Sequence, residues 1–282
     1  ERMPAQVRNI ARIRSTRSSR EFAQLLRRYP ARTSIIAEGD SWFAYPPKGV
    51  LFGRPSNVIA HLRRRERFNL LQLSSTGDEA VPMLSGRSKF RLIKLLHRYP
   101  VDFLLFSGGG NDLVGRYDFE FFLRRGVSSS DWSDYLDHER LGRRIDQIEN
   151  AYADLLDFCA SYSANPELRV VTHTYDYAIP DPQGAEFLGG LFKIHAGKSW
   201  VYPYLRDAGV PRRFDRTIIR HLIDRLADCL LDLADANPGR FIVADTRGTV
   251  NPTREWLNEI HPTSKGFGKV TDVVYRAMQT EP

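Results

Sequence analysis

From residue 33 onward, five short apolar runs punctuate the chain: 33–38 (TSIIAE), 69–75 (NLLQLSS), 101–107 (VDFLLFS), 168–174 (LRVVTHT) and 240–246 (RFIVADT). Each is rich in Ile, Val, Leu or Phe. Their hydrophobicity is mostly continuous rather than alternating, the pattern of strands covered on both faces. Between them, apolar residues recur at helical spacing over roughly 56–66, 88–98, 139–163, 217–236 and 264–279. Strands that alternate with helices imply right-handed crossovers, and so a parallel sheet flanked by helices. The pattern predicts one α/β domain, with no internal repeat and no low-complexity segment.

Two stretches break the alternation. Residues 113–138 carry Phe119, Phe121, Phe122, Trp132 and Tyr135, and residues 175–215 carry Tyr175, Tyr177, Phe187, Phe192, Trp200, Tyr202, Tyr204 and Phe214. Long irregular connections are usually functional or disordered, and this aromatic content argues against disorder. Both stretches follow strands, at the edge where open α/β sheets bind ligands. They are expected to form a wall or lid over a site; plain packing of an enlarged domain is the alternative.

Composition adds less than the location of the charge. The 282 residues are 42% hydrophobic, enough for a sizeable core, and no apolar run reaches the roughly 20 residues of a membrane span. The net charge of +7 sits entirely in residues 1–32, which hold nine arginines against two glutamates. The remaining 250 residues balance 32 basic against 32 acidic side chains. Such a leader suits a targeting peptide, an anionic surface or simply a solvated helix face. Ser18 with Glu21 fits a capping box, followed by an apolar stripe of Phe22, Leu25, Leu26 and Tyr29, so the second half of the leader reads as a helix packed on the body. A soluble protein is expected, either cytoplasmic or exported. Cys159 and Cys229 fall in helical patterns and read as small buried thiols, with a single disulfide as the other possibility.

Candidate chemistry clusters at strand ends. Ser41 follows the first run in "AEGDSWF", Gly77 the second in "SSTGDEA", Asn111 the third in "FSGGGNDL", and His261 lies beyond the fifth in "WLNEIHPTSKGF". In a parallel sheet these ends open on one edge, so positions far apart in sequence can converge. Their types suit acyl transfer. A serine hydroxyl needs a base, and histidine titrates in the right range. The Ser41 and Gly77 backbone N–H groups and the Asn111 amide can serve a tetrahedral oxyanion. Taken singly, each has a plainer reading: a helix cap at Ser41, a turn at Gly77, a cap at Asn111, a surface loop at His261.

Together, "GDSW", Gly77, "GGND" and "HPT" resemble the four blocks of the SGNH/GDSL hydrolases, over about residues 33–275. "GDSWFAYP", "SGGGND", "THTYDYAIPDPQG", "FLGG", "ADTRGT" and "NEIHPTSKGF" look like a bacterial branch of that family. The resemblance implies a flavodoxin-like three-layer sandwich with strand order 2-1-3-4-5 and metal-free ester hydrolysis without a cofactor. It makes Ser41 the nucleophile, His261 the general base, and Ser41, Gly77 and Asn111 the oxyanion hole. On this reading residues 1–32 are a basic helical extension and 33–282 a single hydrolase domain with insertions at 113–138 and 175–215. One departure stands out: the family's usual aspartate, three residues before its histidine, is here Asn258. Asn258 can orient the imidazole but cannot stabilise imidazolium as a charge would. Glu259 or Asp245 are alternative carboxylates, and a Ser–His dyad oriented by a backbone carbonyl is a third arrangement.

Other chemistries find less support. HExxH and GxSxG are absent, the seven histidines lack ligand spacing, "AGKS" at 196–199 lacks the first glycine of a phosphate loop, and "GGG" at 108–110 lacks dinucleotide spacing. The expected activity is that of a carboxylesterase or lipase-like enzyme on a small-molecule or lipid ester. The alternatives are a carbohydrate O-deacetylase and a catalytically weak binding module on the same fold. An anionic membrane surface is the expected partner of the basic leader, and no nucleic acid is expected.

Overall fold

The computed structural model describes residues 16–45, 57–115, 118–181 and 200–280. Helix α1 (Ser19–Arg28) leads into strand β1 (Ser34–Gly39), the short helix α2 (Ser41–Ala44) and α3 (Val58–Arg65). Strand β2 (Asn69–Gln72), helices α4 (Ala80–Met83) and α5 (Gly86–Arg98), and strand β3 (Phe103–Ser107) follow. Next come α6 (Gly110–Val114), α7 (Asp118–Phe121), the long α8 (His138–Tyr162) and β4 (Arg169–His173). Helices α9 (Tyr202–Asp207) and α10 (Asp215–Ala236), strand β5 (Phe241–Ala244) and α11 (Ser264–Gln279) complete the chain.

The five strands form one parallel sheet in the order β2-β1-β3-β4-β5. The expected α/β class and strand order are therefore observed. Helices α3 and α11 pack together, as do α5, α8 and α10, which gives one helical layer on each side of the sheet. That division follows from right-handed crossovers that run one way to β2 and the other way to β5. Covered on both faces, β1 and β3 are buried at every position.

The apolar runs locate the strands, but the ladders are shorter. Run 69–75, for instance, keeps ladder pairing only to Gln72; beyond it Leu73 N still donates to Ala37 O and Ser75 N to Gly39 O as the chain turns away. At the end of β1 the sheet is closest. A Cβ on Gly39 would sit 2.7 Å from the Ser107 Cβ, and the residue has φ +152°. Only glycine lets β1 run that close to β3 immediately before Ser41.

Helix α1 forms as expected, with Phe22 and Leu25 fully buried. Its capping box is only half made. Ser18 Oγ accepts from Glu21 N at 3.4 Å, but the Glu21 carboxylate takes the Thr16 hydroxyl instead of the Ser18 N–H, which goes to Thr16 Oγ1 at 2.9 Å. Thr16 is held by β2, donating to Leu70 O and accepting from Gln72 N. Residues 1–15 of the basic leader lie outside the described residues.

In the two aromatic stretches Phe119, Phe122, Tyr135 and Tyr175 are buried, whereas Phe121 stays 63% exposed. Phe187 and Phe192, which the wall-or-lid reading also used, lie outside the described residues. Cys159 and Cys229 are both buried free thiols, so the disulfide alternative is not what forms.

Candidate active site

The carboxyl edge of the sheet presents polar groups where each strand stops. At the end of β1, Asp40 caps α2 by accepting the Trp42 N–H on Oδ1 at 2.9 Å. This turn exposes the first residue of the helix, Ser41, toward the loop that carries His261. Trp42 ties the two together, its indole N–H donating to Ile260 O at 3.1 Å.

The His261 loop is rigid for its own reasons. Glu255 accepts from Asn251 N at 2.9 Å and pairs with Lys265 and Lys269, contacts that hold its carboxyl down at about 2. Leu257 N donates to His261 O, and Thr263 N to Glu255 O. Within this frame Ser41 Oγ lies 2.8 Å from His261 Nε2. On the other side of the ring, Nδ1 lies 3.1 Å from Asn258 Oδ1.

The same Oδ1 accepts from Ile260 N at 3.1 Å and His261 N at 2.8 Å. Two backbone donors can be met only by a carbonyl oxygen, so the Asn258 amide orientation is fixed. Nδ1 must therefore carry the ring proton, and Nε2 is left as a lone pair facing the Ser41 hydroxyl. The ring of Tyr45 stacks on the imidazole at 4.1 Å and 19°, and Trp200 approaches edge-on at 6.1 Å. Burial pushes the imidazole down to about 3, so it rests neutral across the ordinary pH range.

Asn258, and neither alternative carboxylate, faces the far nitrogen. Glu259 is occupied by the N–H groups of Asp181, Trp200, Val201 and Tyr202, and so anchors the start of α9. Asp245 takes Arg247 and the Thr174 hydroxyl. Glu259, an alternative carboxylate two residues before the base, sends its side chain to the other side of the loop. The backbone-carbonyl arrangement does not form either, because a side-chain oxygen occupies the place.

Asn111, the second residue of α6, shares a small cavity of about 20 Å³ with Ser41. Gly110, Val114, Ala178, Ile223 and Ile260 also line it. One N–H of the Asn111 amide donates to Asp78 O at 2.8 Å, which fixes the amide and leaves its second N–H available. Gly77 does not line this cavity. With φ +88° it forms the turn after β2 and borders a neighbouring cavity of about 380 Å³, together with Glu38, Asp78 and Arg91. Ser41, His261 and Asn258 are thus joined by hydrogen bonds, Asn111 shares the cavity beside Ser41, and Gly77 borders the next cavity with Asp78, whose carbonyl holds the Asn111 amide.

Residue-by-residue reading of the sequence missed a second network beneath the nucleophile. Ser107 Oγ donates to Asp40 Oδ1 at 2.8 Å, and Tyr175 OH to Asp40 Oδ2 at 2.6 Å. His173 Nε2 lies 2.9 Å from Ser107 Oγ, while its Nδ1 receives the Tyr175 N–H at 3.2 Å. Tyr175 adopts φ +65°, an uncommon conformation for a bulky residue, to place both its N–H and its hydroxyl. Burial lifts Asp40 to about 6 and depresses His173 to about 3. Polar residues at the ends of two otherwise apolar strands were the available signal. Asp112, beside Asn111, was also missed; it is fully buried and accepts from Ala80 N at 2.7 Å, pinning α4 behind the Gly77 turn.

Among the described residues, no group of three or more His, Cys, Asp or Glu side chains is arranged to hold a metal ion, and no helix is long and apolar enough to cross a membrane.

The fold has solved counterparts among ester hydrolases. A lipase from a goat rumen metagenome superposes with a TM-score of 0.52 at 15% identity, over 87% of this chain and 97% of that one. An extracellular lipase from Streptomyces rimosus gives 0.51 at 16% identity, over 87% and 99%. A catalytic mutant of an acetylxylan esterase from Geobacillus stearothermophilus gives 0.51 at 11% identity, over 88% and 95%. At these identities the likeness establishes the fold alone. No family model matches the sequence, and no curated protein does.

Proposed function

We propose that this chain is a serine ester hydrolase of the SGNH kind that works through an acyl-enzyme. The observation that carries the reading is the chain Ser41 Oγ–His261 Nε2 at 2.8 Å with Nδ1 held by Asn258. Ser41 attacks the ester carbonyl as its proton passes to His261. The tetrahedral oxyanion is met by the free Asn111 N–H and the Ser41 backbone N–H, with Gly77 N the more distant third donor. His261 then returns the proton to the departing alcohol. Water, deprotonated by the same imidazole, releases the acid.

Asn258 makes this a charge-poor relay. It fixes the tautomer, yet imidazolium gains no full negative charge behind it. The cavity beside Ser41 supports a small acyl group. About 20 Å³ is close to the space of one small group, enough for a methyl and far short of a fatty chain. Esters of acetate or propionate are therefore the favoured substrates, which moves weight from a lipid toward the O-deacetylase reading.

A series of p-nitrophenyl esters from acetate to octanoate tests both points, alongside fluorophosphonate labelling. The expected result is labelling at Ser41 and a kcat/KM that falls beyond propionate. A profile rising past butyrate would overturn the short-acyl assignment. Absence of labelling would favour the binding-module alternative.

A further inference from the structure

Beside β2, a groove of about 550 Å³ runs between the start of α1, the edge of the sheet and α5. Leu71, Leu73 and Leu95 contribute apolar surface to it, and the side chains of Arg17, Arg87, Arg91 and Lys94 surround that surface. Among the described residues, no acidic side chain lines it. None of the four cations forms an ion pair among the described residues; Arg17 donates to Ser74 O at 3.0 Å, and Arg17 and Arg91 interact at longer range with Glu38. Helix α5 itself carries no acid from Gly86 to Arg98. At the rim stands Phe90, 65% exposed, with the Lys94 ammonium 5.6 Å from its ring centre.

We propose that this groove docks the protein on an anionic lipid surface, with Phe90 entering the interface and the four cations taking headgroup phosphates. Three features select that occupant. Arg87, Arg91 and Lys94 follow one another at helical spacing over about 10 Å, wider than a single phosphate and suited to several neighbouring headgroups. An exposed phenylalanine offers no hydrogen bond and gains free energy at a lipid boundary, where it accompanies basic residues on interfacial helices. The described lining of the groove holds four cations and no acid. The groove also shares Leu73 and Arg91 with the cavity that Gly77 borders, so a docked surface would lie next to the catalytic edge.

The test is co-sedimentation of the full chain with vesicles of pure phosphatidylcholine or of equimolar phosphatidylcholine and phosphatidylglycerol. Each cation near an anionic leaflet is worth about fivefold in partitioning, so R87Q/R91Q/K94Q is expected to bind the anionic vesicles about 100-fold more weakly. Phe90→Ala is expected to lose about tenfold. Added salt should weaken wild-type binding, because the contacts are exposed. R87Q/K94Q should keep wild-type turnover of a soluble ester and a wild-type melting temperature, which separates docking from catalysis and from folding. Equal vesicle binding by wild type and the triple variant would overturn the proposal, as would wild-type binding indifferent to phosphatidylglycerol. Displacement of the vesicles by a short oligonucleotide that binds more tightly would reassign the groove to nucleic acid. Stabilisation by inorganic phosphate without vesicle binding would reassign it to a soluble anion.

Discussion

His261 and His173 resemble each other closely. Both are buried, both are pushed down to about 3, and each has an aromatic ring stacked at 19°, Tyr45 on one and Trp42 on the other. Each also places Nε2 within 2.9 Å of a serine hydroxyl. They differ in what meets Nδ1. At His261 it is the carbonyl oxygen of Asn258, so Nδ1 holds the proton and Nε2 accepts from Ser41. At His173 it is the Tyr175 N–H, so Nδ1 is the lone pair and Nε2–H donates to Ser107. The Ser107 hydroxyl in turn donates its hydrogen bond to Asp40, so no imidazole lone pair faces the Ser107 hydroxyl hydrogen. One hydrogen bond on the remote nitrogen thus separates a candidate catalytic pair from a structural one.

The largest test of this contrast removes each hydroxyl in turn. Ser41→Ala and His261→Ala are expected to lower kcat of short-ester hydrolysis by at least about 10,000-fold, the scale seen when members of a nucleophile–base unit are lost. Ser107→Ala should lose less than about tenfold in kcat. It should lower stability by about 1–3 kcal/mol instead, since Asp40 and His173 are each left short of a buried partner. Comparable kcat losses for the two serines would show that the tautomer argument has misassigned their roles.

A smaller effect sharpens the same point at Asn258. Replacement by leucine removes the acceptor for Nδ1–H and for two backbone N–H groups, and should cost about 100- to 1,000-fold in kcat/KM. Asn258→Asp keeps the acceptor and adds charge. A carboxylate stabilises imidazolium and raises the His261 pKa, so the acid limb of kcat/KM should move to higher pH. Wild type should hold its rate well below the usual histidine range, because burial keeps the imidazole neutral there. Coincident acid limbs for wild type and Asn258→Asp would show that position 258 does not address the base.

The legibility of these features in the sequence follows their physical scale. Continuous apolar runs such as FLLFS and long amphipathic repeats such as 138–162 reflect burial, which is non-directional and imprinted on many residues at once. The sheet and its layers could therefore be read, together with the strand ends at which Ser41, Asn111 and His261 would gather. Short helices such as α4 and α6 escaped, because four or five residues carry no period. Hydrogen-bond direction was the least legible. Nothing in "NEIHP" says that Asn258 turns toward the ring while Glu259 turns away to α9, since one loop residue reverses the side-chain direction. Likewise, Tyr175 reaches Asp40 only through a left-handed backbone that no neighbouring residue announces.

The smallest expected effect concerns the charge balance around the two histidines. Each imidazole binds a proton near 6.5 when unfolded but only near 3 when folded, so the unfolded state holds more protons between those values. Stability from both is present above 6.5 and is lost as pH falls through that window, by up to about 1.4 kcal/mol per pH unit each. Asp40 and Glu38 run the other way. Burial raises them to about 6 and about 7, so the folded state takes up protons first and gains stability as pH falls toward 4. Urea unfolding of wild type should therefore show a shallow dependence from pH 6.5 to 4.5 and a steep loss below 4. Glu38→Gln removes one opposing group and should steepen the loss between pH 7 and 4.5, by at most about 3 kcal/mol over that interval. Parallel curves for wild type and Glu38→Gln would mean that Glu38 is ionised in the folded protein as freely as in the unfolded chain, and Asp40 alone of the two would then offset the histidines.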